Sequence, residues 1–113
     1  MSSRRDEDRI QDIIDAIDEI MNFTRNLGYE DFRESSLIIR AVELNCIIIG
    51  EATSRLSDAF MNSHTEIPWH SMRGLRNKIV HDYFNISPQI LWETIRTDLP
   101  PVKVQLESIL KTG

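Results

Sequence analysis

At 113 residues, with 41% hydrophobic and 27% charged residues, the chain is one domain, long enough to bury a real core but short enough to leave much surface exposed. The net charge of -5 excludes broad, non-specific attachment to nucleic acid, which rests on many Lys and Arg contacts to phosphates, but permits a local positive site. The single Cys46 excludes an internal disulfide; within the run Asn45-Cys46-Ile47-Ile48-Ile49 it reads as a small buried hydrophobe.

The leading segment Met1-Ser2-Ser3-Arg4-Arg5-Asp6 lacks the apolar core of a secretion signal, and no apolar run is long enough for a bilayer. Both point to a soluble cytoplasmic protein with no membrane contact. Ile10, Ile13, Ile14, Ile17, Ile20, Met21, Thr24 and Leu27 follow one helical face, with Asp12, Asp15 and Glu19 elsewhere on the wheel. Gly28 is the predicted stop of this first helix. A second helix begins near Glu34 to Ser36 and runs toward Phe60, with Leu37, Ile38, Ile39, Ala41, Val42, Leu44, Ile47, Ile48 and Ile49 wrapping most of its circumference, as in a central helix. The isoleucine triplet has a strand reading as well, but nothing nearby alternates at period two to pair with it.

Met61 to Pro68 is a polar connection closed by proline, which predicts a helix entered at or just after Pro68. This third helix carries Met72, Leu75, Ile79 and Val80 inward and breaks around Asp82 to Ile86. Ser87-Pro88 is a cap followed by proline at the first helical position. Leu91, Ile95 and Leu99 continue a fourth helix until Pro100-Pro101 interrupts it, and Val102, Leu106, Ile109 and Leu110 form a last short one. Trp69, Met72, Tyr29, Phe32 and Trp92 read as packing, not as base-stacking platforms. The predicted architecture is all-α: a single domain over residues 1–113, an antiparallel bundle of four main helices with a broken C-terminal one.

The chemistry concentrates in Arg76-Asn77-Lys78-Ile79-Val80-His81-Asp82-Tyr83. Arg76 offers a planar fork of donors suited to a phosphate, and His81 can both take and give a proton near neutral pH. Between Trp69 and Tyr83 the chain has Arg73, Arg76 and Lys78 against only Asp82, whereas Gln11 to Glu19 is acidic with no Lys or Arg. The motif therefore sits on the positive side, with Arg73 and Lys78 as supporting substrate contacts.

Successive helical residues turn by about 100°, so Tyr83 falls nearly on the line of Arg76, while His81 is displaced by roughly 140°. Either the helix unwinds near His81 or the site is shared across a symmetric dimer. Arg76 and His81 together suggest chemistry on a phosphodiester; if that phosphodiester is RNA, cleavage without metal needs one group to deprotonate the ribose 2′-OH, another to protonate the departing 5′-oxygen, and a cation for the phosphorane. The motif supplies one His per chain, and His70 lies about 16 Å earlier along a continuous helix, so a homodimer supplies the second. The assignment is His81 as general acid or base and Arg76 as phosphate clamp, leaving 2′,3′-cyclic phosphate ends.

Asn77 either supports His81 or contacts RNA, or is an exposed helical Asn. Lys78 and Asp82, four apart, also read as a surface pair. Glu51, within an otherwise apolar helix, either orients Arg76 or lies on a solvated face. His64, His70 and His81 lack metal-ligand spacing, no glycine-rich phosphate loop or nucleophile elbow is present, and neither a metal nor another cofactor is expected.

The Arg76 to Tyr83 stretch resembles the Arg-X4-His-X-Tyr motif of HEPN domains, and within them the HepT-like toxins paired with a minimal nucleotidyltransferase antitoxin. Ile48-Ile49-Gly50-Glu51-Ala52, Ile67-Pro68-Trp69 and the pattern from Ile90 to Pro100 extend the resemblance over nearly the whole chain. It implies a HEPN-type dimer with its cleft at the end of the third helix, an endoribonuclease toxin, and a cognate antitoxin that transfers AMP from ATP to the motif tyrosine, here Tyr83. The alternative is a non-catalytic accessory subunit of a nucleotidyltransferase, in which Arg76 and His81 hold a nucleotide phosphate.

Overall fold

The computed structural model describes residues 2–112, with side chains from Arg5 onward. The segment Met1 to Asp6, read above for the lack of a secretion signal, thus lies partly outside the described residues. Seven α-helices follow in order: α1 (Ser2–Thr24), α2 (Tyr29–Glu34), α3 (Ser36–Ser54), α4 (Asp58–Ser63), α5 (Trp69–His81), α6 (Pro88–Glu93) and α7 (Leu99–Thr112). A 3-10 turn at Tyr83–Asn85 links α5 to α6, and a π-helical turn at Thr94–Asp98 joins α6 to α7. No strand occurs among the described residues, and none of their helices is long and apolar enough to cross a membrane.

The all-α bundle is centred on α3, which packs against α1 on one side and α5 on the other. Ile10, Ile13, Ile17 and Ile20 of α1 are fully buried, and so are Val42, Cys46 and Ile49 of α3 and Leu106 of α7. Each such side chain gains roughly 1.5–3 kcal/mol on leaving water, which offsets the entropy of ordering the chain. Met72 and Ile79 seat α5 on this core, whereas Val80, read as inward from its neighbours, points out and is 46% exposed. The circumference of α3 is apolar as expected, but not all of it is covered: Leu37, Leu44 and Ile48 remain exposed.

Three boundaries differ from the sequence reading, two for tertiary reasons and one for a local one. First, α1 ends at Thr24 instead of Gly28, because Gly28 has an ordinary extended backbone (φ -90°) and heads the unforeseen helix α2. The carbonyls of Thr24 and Leu27 accept hydrogen bonds from Arg96 Nη2, both at 2.7 Å, while the Arg96 guanidinium stacks 4.2 Å from the Trp92 ring centre. Second, the long helix stops at Ser54 and restarts as α4. Ser57 caps the new helix by accepting from the Phe60 N–H, while its own N–H and hydroxyl donate to the buried Asp6 carboxylate at 2.9 and 2.8 Å. Third, Pro100-Pro101 does not interrupt the last helix. The Leu99 N–H donates to Thr94 O, five residues back, and the two prolines that follow have no N–H to leave orphaned, so α7 runs through them.

The remaining local signals hold. Trp69 opens α5 directly after Pro68, and Ser87 Oγ accepts from the Ile90 N–H with Pro88 at the first helical position. Trp69 is buried and its indole N–H donates to the carbonyls of Met61 and His64. Phe32 packs against Trp92 with ring centres 5.0 Å apart. Cys46 is fully buried, and burial, reinforced by the nearby Glu43 carboxylate, pushes its thiol up to about 12.

Candidate active site

The site is built on the crossing of α3 and α5. A Cβ on Gly50 would lie 2.6 Å from the Arg76 Cβ and 2.7 Å from its backbone N, so the absence of a side chain sets how near the two helices approach. This proximity presents the next residue, Glu51, to Arg76: Glu51 Oε1 lies 3.1 Å from Arg76 Nε. Asn77 Oδ1 accepts from Arg76 Nη1 at 3.1 Å. Two separate partners thus orient the fork, which remains 46% exposed and open to a ligand. Of the two readings of Glu51, the structure shows the contact with Arg76. Asn77 touches Arg76 and makes no hydrogen bond to His81.

His81 is the last residue of α5. The Asp82 N–H still donates to Lys78 O, but the Asp82 backbone (φ -106°, ψ 20°) leaves the helix and the 3-10 turn follows. The imidazole is exposed and takes part in no hydrogen bond or ion pair among the described residues. The break also removes Tyr83 from the helical line that would have placed it over Arg76. Its ring packs edge-on to Phe84, with centres 5.2 Å apart, and the cation above it is Arg40 of α3, whose Cζ lies 4.9 Å from the ring centre.

Arg40 and Glu43 went unnoticed in the sequence. Arg40 Nη1 donates to Glu43 Oε1 at 2.9 Å, and the Glu43 side chain is only 4% exposed. The bond to Glu43 and its negative charge, followed by Tyr83, raise the Arg40 pKa above its ordinary value. An Arg and a Glu three apart in an otherwise apolar helix was the available signal. Pairing of Gly50 and Glu51 with Arg76, and of Arg40 with Tyr83, shows that α3 and α5 run antiparallel. At about 100° per residue, Leu37, Arg40, Leu44, Ile48 and Glu51 fall within a stripe roughly 80° wide on α3.

The other cations are not gathered there. Arg73 reaches back to α4, with Nη2 3.2 Å from Met61 Sδ. Lys78 lines a cavity of about 330 Å³ between α5 and the C-terminal segment, alongside His70, Thr94 and Asp98. It forms no ion pair with Asp82 among the described residues. A rotation of about 200° separates Lys78 from Arg76, so charge that is continuous in sequence is divided over the helix surface. No group of three His, Cys, Asp or Glu residues able to hold a metal occurs among the described residues.

Residues 13–109 match the family model described as "Ribonuclease HepT-like". A protein of Thermococcus cleftensis named "Probable ribonuclease HepT" is 38% identical over 96% of this chain and 98% of its own length. Proteins named "Putative RNase" from Methanocaldococcus jannaschii and Caldanaerobacter subterraneus are 33% and 30% identical, each over 90% of this chain and over 84% and 91% of their own lengths. No solved structure matches the chain. The match spans both helices that build the site and the core that carries them: the chain belongs to the HepT-like ribonuclease family.

Proposed function

We propose that the protein is a metal-independent endoribonuclease, the toxin half of a cytoplasmic toxin–antitoxin pair, cleaving RNA in a cleft shared by two copies of the chain. The observation that carries this is Arg76, aimed by Glu51 and Asn77, with an exposed His81 at the end of the same helix. Their Cα atoms are about 7.5 Å apart along the axis, and the side chains diverge by roughly 140° around it. A two-fold partner supplies the second imidazole. The exposed apolar side chains of Val80 and Phe84, next to His81 and Tyr83 in the chain, are surface such a partner would cover.

In this reading one His81 removes the proton from the ribose 2′-OH, whose oxygen attacks the adjacent phosphorus. The phosphorus–O5′ bond breaks, the second copy's His81 protonates O5′, and a 2′,3′-cyclic phosphate remains. Arg76 balances the charge on the phosphorane. A cognate nucleotidyltransferase antitoxin switches the enzyme off by transferring AMP from ATP to Tyr83: the phenolic oxygen, losing its proton, bonds the α-phosphorus as pyrophosphate departs, which places a bulky anion at the entrance to the site.

The test is cleavage of a single-stranded RNA by purified protein in the presence of a chelator. Arg76→Ala and His81→Ala should each lower the rate on the order of a hundredfold or more while the protein stays helical and dimeric by circular dichroism and light scattering. Cleavage that requires added magnesium, or that survives His81→Ala, would overturn the mechanism.

A further inference from the structure

Arg40 has no part in the reaction just described, yet it is held in place as carefully as Arg76. We propose that Arg40 is a second phosphate-binding residue of the RNA site, taking a phosphate farther along the strand from the one at Arg76; this rests on the ribonuclease reading above. Glu43 fixes one corner of its fork from a buried position at 2.9 Å, and the Tyr83 ring supports its face. The Arg40 side chain is still 53% exposed, so the remaining N–H groups of the fork point to where a ligand can reach them. Arg76 is built in the same way, with an orienting carboxylate on α3 and an outward edge.

The two cations also share a track. Arg40 and Glu51, the partner of Arg76, lie in one stripe of α3, eleven residues or about 16 Å apart along its axis. That span exceeds a single nucleotide, so Arg40 sets the course of the strand across the site and adds nothing at the reacting phosphorus. In a chain of net charge -5, a few fixed cations on such a track have to supply the attraction that overall charge does not.

The experiment measures binding of a labelled single-stranded RNA oligonucleotide to His81→Ala protein, which leaves the strand uncut, across a range of salt. Adding Arg40→Gln should weaken binding about three- to tenfold and flatten the log–log salt dependence by about 0.7, the loss of one single-strand phosphate contact. In protein with His81 intact, Arg40→Gln should raise KM by a similar factor and leave kcat within about twofold. Arg40→Lys should restore the salt slope, because the charge is kept, but only part of the affinity, because the fork that Glu43 and Tyr83 hold is lost. The competing role for Arg40, a counter-ion for buried Glu43, is separated by the double variant Arg40→Gln/Glu43→Gln, which has no buried unpaired carboxylate. Binding as weak as with Arg40→Gln alone supports the phosphate contact; wild-type binding by the double variant, or an unchanged salt slope in Arg40→Gln, overturns it. Protein that cleaves RNA indifferently to Arg40 overturns this inference alone, whereas protein that neither binds nor cleaves RNA overturns the ribonuclease reading and this inference with it.

Discussion

Gly50 of α3 lies directly against Arg76 of α5, with room for a hydrogen but not for a methyl group. The cation assigned to the phosphate in the proposed mechanism is thereby tied to a close approach of two core helices, and in that mechanism helix separation becomes a variable of the site. Gly50→Ala would place its new carbon 2.6 Å from the Arg76 Cβ and 2.7 Å from its backbone, which cannot rotate away. We expect about 1–3 kcal/mol of destabilisation from overpacking, measured by denaturant unfolding. Cleavage should fall further than the folded fraction does, because α5 moves and takes Arg76 out of register with Glu51. A variant as active and as stable as wild type would show that the crossing has slack.

Glu51→Gln should separate orientation from stability. Both partners of its ion pair with Arg76 are about half exposed, so the pair contributes less than ~1 kcal/mol to folding, and the melting temperature should barely move. The cleavage rate should fall about tenfold, since the contact that aims Arg76 loses its charge and weakens to a neutral hydrogen bond. Equal rates for the variant and wild type would mean that Asn77 alone suffices to aim the guanidinium.

Tyr83→Phe keeps the ring beneath Arg40 and against Phe84 and removes only the hydroxyl. The variant should retain most of its cleavage activity yet resist inactivation by a cognate antitoxin with ATP and magnesium. Peptide mass spectrometry should find adenylyl groups on Tyr83 of wild type under the same conditions. An unmodified Tyr83, or a Phe variant silenced equally by adenylylation, rules out the switch.

Cys46 provides a pH-dependent readout of the core. Burial raises its thiol from the ordinary 9.0 to about 12. Below pH 9 the folded and unfolded chains both keep the proton, and the residue has no effect on the pH dependence. Between those values the unfolded chain releases the proton while the native one holds it, so stability falls as pH rises toward 12. Cys46→Ala should flatten that alkaline decline, and thiol reagents at pH 8 should label the native protein only on unfolding. Fast labelling of folded protein would contradict the burial.

Much of this architecture was legible because its signals are local. The isoleucine spacing of α1, the entry after Pro68 and the Ser87-Pro88 start each depend on neighbours a few residues away. Two of the misplaced boundaries depend on distant partners: Asp6 reaches 51 residues to Ser57, and Arg96 reaches 72 and 69 residues to Thr24 and Leu27. The same distinction holds at the site. Glu51 could be suspected as the partner of Arg76, as a lone carboxylate in an apolar run. The meeting of Arg40 with Tyr83 depends on how α3 and α5 are registered and on the helix break at Asp82, and neither can be counted off a helical wheel. Lys78 seemed to belong with Arg76 only because sequence proximity hides rotation about the axis, whereas Arg73, on nearly the same face as Arg76, is drawn away to Met61 of α4, a partner no helical wheel shows.

The reach of Arg96 bears on the order in which the molecule assembles. The end of α1 has no glycine in a left-handed turn to close it, and its carbonyls are held by a side chain from the far end of the chain. Until the C-terminal segment docks, the last turn of α1 is held at Thr24 O only by the local Leu27 N–H at 3.1 Å and frays more readily. Amide hydrogen exchange around Ile20 to Thr24 should therefore keep pace with exchange in the π-helical turn Thr94–Asp98, although the two segments stand some seventy residues apart.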